Sequence, residues 1–301
     1  MRVIFDRNIG SDVIYAWGVS VPIFRRYLFG KTEEERRRKI KEKISDYLDS
    51  IVPIIEGEID SEVREVRVSL ESAWTRYYVF KLNVNNRFNF ALNILSPNSQ
   101  IKSFRKYRDI AEDVCRRFKD NVAKVIAIDR EFMVQRWVDG VPLSNFKDGN
   151  VIVDVERAKM CIPLVVSLLY RLNKAGYVYT PWDDYEAMLK DDKIVLLDIT
   201  RFVRRRLDEE EFLEFYYGVP FTSPEILKSS DDPSHKLYWR GVCEKDYFGT
   251  SRDEYVRLFM IGVCLACETF DEVERVCKPL KDSVTIQDLI NYVPTKEWKR
   301  F

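Results

Sequence analysis

Residues 75–95, TRYYVFKLNVNNRFNFALNIL, decide the fold of the first half of the chain. The stretch has two runs rich in aromatic and aliphatic residues, Thr75 to Leu82 and Arg87 to Leu95, and such runs are typical of β-strands. Asparagine is frequent in residues 83–86 between them, and it tolerates the left-handed backbone of tight hairpin turns. The stretch is therefore predicted to form a β-hairpin.

The segments around this hairpin extend it into a sheet. Before it, Val63 to Leu70 mixes apolar residues with charges, as a half-buried strand does. After it, residues 101–118 predict a helix, and two short strands follow at Val122 to Ile128 and Phe132 to Trp137. The order β-β-β-α-β-β predicts an antiparallel five-stranded sheet with a single helix inserted.

A charged helix is predicted ahead of the sheet, over residues 32–56. Thr32 and Glu35 have the spacing of a capping box, in which side chains bond the backbone N–H groups that begin a helix. Pro53 predicts a kink or an early end, and residues 1–30 show no clean period. Apolar residues recur at helical spacing at Ile40, Ile44, Leu48, Ile51 and Ile55.

The second half of the chain is predicted to be mainly helical. A helix over Val155 to Ala175 ends at Gly176, two short strands follow near 186–190 and 193–197, and helices then resume. The expected fold class is α+β. Three parts are expected: an N-terminal extension with the charged helix at 1–60, a small sheet-containing lobe at 61–140, and a larger helical lobe at 141–301.

The composition argues against several classes of protein. Lysine plus arginine and aspartate plus glutamate number 49 each, so no net positive charge favours nucleic acid. The apolar runs are shorter than the roughly 20 residues that a membrane helix needs, and the charges near the start are unlike a secretory signal. A cytoplasmic protein that binds neither membrane nor nucleic acid is expected.

Two compositional details leave alternatives open. Charged residues make up 33% of the chain while glutamine is scarce, a pattern reported for proteins of hyperthermophiles. Cys264 and Cys267 form a CxxC pattern, but helical spacing places both on an apolar face, and the chain has no second CxxC. The pattern therefore argues against a zinc site, while a disulfide stays open.

Five segments are similar to sequence motifs of protein kinases. Residues 90–95 (FALNIL) resemble the strand "VAIKIL", and residues 132–140 (FMVQRWVDG) resemble the hinge segment "FLVMEYVDG". Residues 168–179 (LLYRLNKAGYVY) resemble "ALAYLHSKGIVH", residues 193–198 (KIVLLD) resemble the strand before the "DFG" aspartate, and residues 218–225 (GVPFTSPE) resemble "GTPxYxAPE". By order and spacing, the chain resembles the protein kinase-like superfamily, whose fold has two lobes.

The resemblance implies a site for ATP with magnesium, and the sequence departs from it at the phosphate contacts. In the family, a glycine-rich turn and a lysine hold the phosphates. The corresponding turn is residues 71–75, ESAWT, which has a carboxylate and an indole but no glycine, and the lysine position is Asn93. Both changes argue against ordinary ATP binding, because backbone and charged donors to phosphate are lost.

Other residues are candidates for the missing contacts. Arg76 or Lys81, on the preceding strand, could supply the cation, as in the kinases that lack the usual lysine; alternatively, both are ordinary solvated charges. The resemblance makes Glu112 the partner carboxylate of the lysine position, or else a plain surface residue. It also puts Gln135, in the hinge-like segment, among the nucleotide contacts.

The catalytic loop is altered as well. Its proton acceptor corresponds to Pro181, which has no side-chain base, and Asp183 is the alternative acceptor if the loop is remodelled. Glu186 and Asp198 have the spacing of the family's two metal ligands and could hold Mg²⁺. The alternative for Asp198 is structural, as the cap of a turn with Thr200.

Three functions stay open after this comparison. The first is a pseudokinase, a kinase-like scaffold or regulator that acts through a protein partner, with or without ATP or ADP. The second is an atypical ATP-dependent phosphotransferase, acting on a protein or a small molecule through reassigned residues. The third, a nucleic-acid accessory protein, is favoured only by arginine clusters and exposed aromatics. Combined loss of the base, the lysine and the glycines favours the first.

Overall fold

The computed structural model of the protein describes residues 1–11, 13–16, 19–22, 29–73, 76–97, 99–142, 145–147, 150–152, 155–180, 187–216 and 252–277. The chain divides into two compact units, Met1–Val138 and Asp139–Phe301. Both contain strands and helices, so the fold is a mixture of the two, as the sequence predicts.

A mixed sheet dominates the first unit. Its described strands are β1 (Arg2–Phe5), β2 (Val13–Ala16), β3 (Val19–Pro22), β4 (Glu65–Ala73), β5 (Tyr77–Val84), β6 (Phe88–Leu95), β7 (Val125–Ile128) and β8 (Phe132–Arg136). The helices are α1 (Glu33–Ile59) and α2 (Arg108–Arg117), with a 3-10 turn at Phe104–Tyr107 before α2. β2 and β3 pair as a separate hairpin, and the other strands form one sheet in the order β1-β4-β5-β6-β8-β7.

The sheet has six strands, so the predicted number of five is wrong. The additional strand, β1, runs parallel to β4, with Arg2 opposite Glu65 and Phe5 opposite Val68. A parallel pair needs a long connection, which here contains α1. The five predicted strands follow in the predicted β-β-β-α-β-β order, and their pairings are antiparallel.

The hairpin between β5 and β6 turns at two asparagines. Asn85 and Asn86 have φ angles of 53° and 56°, a left-handed backbone that asparagine adopts more readily than most residues. The Asn85 side chain also accepts hydrogen bonds from the backbone N–H groups of Arg64 at 2.9 Å and Glu65 at 3.1 Å. These bonds fix the turn against the start of β4.

The helix α1 begins at the predicted cap and runs beyond the predicted end. The Thr32 hydroxyl accepts from the Glu35 N–H at 3.1 Å, and the Glu35 carboxylate accepts from the Lys31 N–H at 3.0 Å. The helix continues past Pro53 and ends at Asp60. Proline removes one backbone hydrogen bond of the helix. This loss is offset because the helix buries apolar residues both before and after Pro53.

The large sheet has an apolar face and a polar face. Buried and half-buried residues alternate along β5, because successive side chains of a strand point to opposite sides. The apolar face, which includes Phe80, Leu82 and Leu92, shares one core with the apolar residues of α1. The opposite side, called here the polar face, carries Arg67, Ser69, Glu71, Lys81, Asn83, Asn89, Asn93 and Gln135.

The second unit combines helices with short strands. The described helices are α3 (Val155–Lys174), α4 (Glu209–Tyr216), α5 (Arg252–Ala266) and α6 (Phe270–Cys277). The described strands are β9 (Val141–Pro142), β10 (Asn145–Lys147), β11 (Asn150–Ile152), β12 (Tyr177–Tyr179), β13 (Ala187–Lys190), β14 (Lys193–Leu196) and β15 (Phe202–Arg204). No helix in the described ranges is long and apolar enough to cross a membrane.

Two glycines shape this unit. Gly176 follows α3 with a φ of 86°, as expected of a glycine that ends a helix. At Gly262 in α5, an added Cβ would lie 2.6 Å from the Cβ of Val166 and 2.7 Å from the carbonyl oxygen of Pro163, both in α3. Because no side chain can approach so closely, glycine allows α3 and α5 to pack against each other.

Candidate functional site

Three of the predicted site residues lie together on the polar face. Ser69 on β4 is opposite Lys81 on β5, Lys81 is opposite Ala91 on β6, and Ala91 is opposite Gln135 on β8. Asn93 is two residues along β6 from Ala91, so it is on the same face. Lys81, Asn93 and Gln135 are therefore neighbours across three adjacent strands.

Asn93 and Gln135 form a buried amide pair. Their exposed fractions are 3% and 5%, and the Asn93 Nδ2 donates a hydrogen bond to the Gln135 Oε1 at 2.8 Å. Buried polar groups need such partners, and an amide pair satisfies them without any charge. The Asn93 side chain is thus bonded within the sheet and brings no cation to this position.

Lys81 is half-buried, and its ammonium group lies over an aromatic ring. The Nζ is 4.7 Å from the centroid of the Trp137 ring, within the range of a cation–π interaction. This contact orients the Lys81 side chain towards the end of β8. The cation predicted on this strand is therefore present on the polar face and already has an aromatic partner.

Arg76, the other predicted cation, is placed differently. It directly precedes β5, which begins at Tyr77. Its carbonyl oxygen accepts a hydrogen bond from the Ser96 N–H at 3.1 Å. Of the two candidates, Lys81 lies within β5 on the same face as Asn93, whereas Arg76 precedes the strand.

The turn that would cover phosphate carries an internally bonded carboxylate. The Ser69 hydroxyl donates to the Glu71 Oε1 at 2.6 Å, and the pairing of β4 with β5 shifts register between Leu70 and Ser72. A carboxylate near phosphate is repulsive. Trp74 and Thr75, the rest of this turn, lie outside the described residues.

Glu112 is on α2 and does not pair with the lysine-equivalent position. It lines a groove with Ser50 and Ile54 of α1, other residues of α2, and the strand β7; this is called the α1–α2 groove. No ion pair to Glu112 occurs within the described part of the chain, and Asn93 is bonded to Gln135 instead. The Glu112 interaction that the resemblance implies is absent among these residues.

Asp198 caps a turn in the second unit. Its Oδ1 accepts from the Thr200 N–H at 2.8 Å and from the Thr200 hydroxyl at 2.7 Å, at the start of the 3-10 turn Ile199–Arg201. Its Oδ2 lies 3.4 Å from the Nε of Arg201, and the two side chains are 5% and 8% exposed. The buried carboxylate is therefore neutralised by a buried guanidinium.

Arg201 is a partner that the sequence does not suggest. It begins an arginine-rich segment, and arginines usually lie in solvent. Arg201 is nevertheless buried, whereas Arg204, Arg205 and Arg206 are exposed. The available signal is its spacing from Asp198, because a 3-10 turn brings residues three apart to the same side. That signal is weak without knowledge of burial.

The remaining catalytic candidates lie outside the described residues. These are Pro181, Asp183 and Glu186, so a Mg²⁺ ion between Glu186 and Asp198 and an acceptor role for Asp183 stay predictions. Of the two expected metal ligands, Asp198 has its carboxylate engaged by Thr200 and Arg201, which does not fit a Mg²⁺ site in this arrangement. The described ranges contain no cluster of three His, Cys, Asp or Glu residues that could hold a metal ion.

Comparison with known sequences finds a relative of nearly the same length. No protein-family model matches the chain. A protein of Archaeoglobus fulgidus, named "Uncharacterized protein", is 43% identical over 275 residues. The match covers 90% of this chain and 93% of that protein.

Phosphotransfer proteins are among the solved structures that the chain resembles at low similarity. Macrolide 2′-phosphotransferase MphH from Brachybacterium faecium is 10% identical, over 80% of this chain and 99% of that one. The PknI kinase domain of Mycobacterium tuberculosis is 11% identical, over 72% and 95%. The TM-score is 0.37 in both cases, which is too low to carry an argument about the fold or function of this chain.

Proposed function

The chain belongs to the same family as the Archaeoglobus fulgidus protein, and we propose that it is a protein-kinase-like domain that transfers no phosphate and acts as a scaffold or regulator through a protein partner. The kinase-like motifs at 90–95, 132–140, 168–179 and 193–198 support the first part, together with the strand and helix order from β4 to β8. The loss of the phosphate and metal contacts supports the second part.

The buried pair of Asn93 and Gln135 carries this proposal. A working kinase holds a cation against the phosphates at the Asn93 position. Replacing that cation by a neutral amide removes a charge-assisted contact of about 1.5–3 kcal/mol. Because the Asn93 amide is already bonded to Gln135, phosphate would also have to compete with that bond.

The Asp198 turn supports the same proposal from the second unit. A buried carboxylate needs a compensating positive charge, which a metal ion supplies in a working kinase. Here the Arg201 guanidinium lies 3.4 Å from the carboxylate. We infer that Arg201 replaces the metal ion and that Asp198 stabilises the turn rather than a nucleotide.

A phosphate-transfer assay tests the proposal. The purified protein is incubated with γ-labelled ATP and Mg²⁺, and both label on the protein and release of free phosphate are measured. We expect neither to exceed the values of an Asp198→Asn variant prepared in parallel. Transfer by the wild type that is lost in Asp198→Asn would contradict the proposal, since kinases place much of their electrostatic stabilisation at this aspartate.

Lys81 favours a second candidate function, an atypical ATP-dependent phosphotransferase acting on a protein or a small molecule. It lies diagonally across from Asn93 on the polar face, from where it could supply the missing cation. On this account Lys81→Met removes MgATP binding, whereas Arg67→Met, a change to an exposed cation on the same face, preserves it. If the protein also transfers phosphate, loss of that transfer in Asp183→Asn would identify Asp183 as the base in a remodelled catalytic loop.

A further inference from the structure

The α1–α2 groove is an open cavity of about 740 Å³ in the first unit. Its floor is formed by Ile126 and its neighbours in β7, the last strand at one edge of the sheet. Ile54 of α1 is 40% exposed and contributes apolar surface on one side, while Ala111 of α2 lies on the other side and is 2% exposed. An apolar floor between two helices is a surface that apolar side chains of another molecule could fill.

The edge strand below the groove is already bonded by side chains of α2. The Arg108 guanidinium donates to the Ile128 carbonyl oxygen at 2.8 Å. The Cys115 thiol contacts the Ala123 carbonyl oxygen, just before the strand, at 3.6 Å. The Arg108 bond occupies a backbone acceptor of β7 that an added strand would use, and α2 lies beside the strand, so the groove favours a helix over an added strand.

The charges along the groove favour an acidic occupant. Four cations line it, Arg108, Arg116, Lys119 and Lys124, against the two acids Glu112 and Asp129. Asp129 is paired with Arg105 at 2.7 Å, and two of the cations are paired as well, Arg116 with Asp113 at 2.5 Å and Lys124 with Glu58 at 2.7 Å. Arg108 and Lys119 form no ion pair within the described ranges, so the groove keeps a small positive excess over the one unpaired acid, Glu112. Lys119 is exposed and has no ion-pair partner within the described ranges, so its charge is available to a ligand.

We propose that the α1–α2 groove binds an acidic amphipathic helix of a partner protein. Apolar residues of that helix, spaced at i, i+3 or i+4 and i+7, would lie on the floor beside Ile54 and Ile126. Its flanking carboxylates would approach Lys119 and Arg108. The inference rests on the proposed scaffold or regulator function, because it names the surface and the partner chemistry through which that function would work.

A binding experiment with helical peptides tests the docking site. The probes are fluorescein-labelled, helix-stapled peptides with leucines at these spacings and glutamates beside them, and fluorescence anisotropy reports binding. We expect saturable binding of at least one acidic peptide, and weaker binding when each glutamate is replaced by lysine. Ile54→Glu and Lys119→Glu should each weaken binding by at least about tenfold.

Two matched controls make the result specific to the groove. Lys102→Glu makes the same charge change at an exposed residue outside the groove, and Val141→Glu changes an exposed apolar residue in the other unit. Both should bind the acidic peptide like the wild type, and circular dichroism should show that all variants are folded. Absence of saturable binding, or equal binding by all variants and by the lysine peptides, would overturn the docking site.

The same preparations separate this inference from the proposed function. MgATP binding or phosphate transfer by the wild type would contradict the proposed function while leaving peptide docking as measured. Absence of peptide binding in a protein that also binds no MgATP and transfers no phosphate would reject the docking site and leave the proposed function intact. Displacement of the peptide by MgATP would show that nucleotide and peptide compete for the groove. That result would overturn a groove that serves protein partners alone.

Discussion

Asn93 and Gln135 depend on each other, because each satisfies a buried polar group of the other. We expect Asn93→Leu to lower the free energy of unfolding by about 1–3 kcal/mol, since it removes the donor that the Gln135 Oε1 accepts from. The double change Asn93→Leu with Gln135→Met should cost less than the sum of the single changes, because both polar groups leave together. Urea unfolding of the four proteins measures this coupling.

The pair Asn83 and Asn89 is a matched control on the same face. It is joined by a similar bond of 2.8 Å but is half-buried, so water can replace the bond when one partner is removed. Its coupling energy should therefore be smaller. Additive single changes at Asn93 and Gln135 would show that their bond is not a structural one.

Asp198 and Arg201 make a second residue-level prediction. Asp198→Asn should destabilise the protein by about 3 kcal/mol, because a buried guanidinium then loses its anionic partner. Adding Arg201→Met should recover part of this loss, since the remaining buried charge is removed. Thermal melting with and without Mg²⁺ is the measurement. Stabilisation of the wild type by Mg²⁺, with no effect of either substitution, would contradict a structural role.

The sequence predicts only half of this ion pair. An aspartate two residues before a threonine is a recognisable cap, and the cap is present. The burial of Arg201 was not predictable, because arginines in a charged run usually lie in solvent. Its burial depends on distant contacts, such as the Thr180 N–H that donates to the Arg201 carbonyl oxygen at 2.9 Å.

Among the elements, α1 and β1 show what local sequence can and cannot predict. The start of α1 follows from Thr32 and Glu35, and its buried side follows from the helical spacing of its isoleucines. The helix continues beyond Pro53 because its apolar residues pack on the sheet, and local sequence propensity does not report such packing. β1 was missed because it has four residues and pairs with residues more than 60 positions away. Its available signal was an apolar run, Val3 to Phe5, followed by a helix and a strand.

The contact of α3 with α5 gives a prediction at the scale of elements. Gly262→Ala should lower the free energy of unfolding by about 1–3 kcal/mol, because its Cβ would overlap Val166 and Pro163. Gly57→Ala in α1 is the matched control, since nothing lies within 4 Å of its added Cβ. That change should stabilise the protein, by up to about 1 kcal/mol. Chemical unfolding that ranks the two variants the other way would contradict the packing.

The carboxylate of Glu272 joins α6 to α3. It accepts from Lys174 at 3.0 Å, from the Tyr170 hydroxyl at 3.1 Å and from the Glu268 N–H at 2.9 Å. Burial disfavours the charged form, but the bonds from Glu268, Lys174 and Tyr170 outweigh it and hold the pKa of Glu272 below its usual range.

This pKa makes the contribution of Glu272 depend on pH in a stated direction. Because the folded-state pKa is lowered, the stabilisation is present above the unfolded value of about 4.3 and is lost as pH falls through the folded value. Glu272→Gln should therefore cost about 1–2 kcal/mol at neutral pH and much less near pH 3. Melting curves of both proteins across this range measure the difference, and a pH-independent gap would contradict the assignment.

In the whole molecule, the N-terminal segment and the large sheet have a common core. The apolar residues of α1 and those of β4, β5, β6 and β8 form a single buried cluster, so the charged helix predicted as an extension packs on the sheet. The sequence left this open, because surface charge on one side of a helix does not reveal what its other side covers. The residues that correspond to the phosphate and metal positions lie in different units, Asn93 in the first and Asp198 in the second.

A thermal-shift titration with nucleotide shows whether Asn93 and Asp198 are structural residues or hold a nucleotide. A ligand that binds the folded state raises the free energy of unfolding by about 2.7 kcal/mol at one hundred times its Kd. We expect no change in Tm with ATP, ADP or GTP, with Mg²⁺ or Mn²⁺, at concentrations that shift an active kinase measured beside it. A saturable rise in Tm at micromolar MgATP would show that the protein binds nucleotide and that these residues are not purely structural.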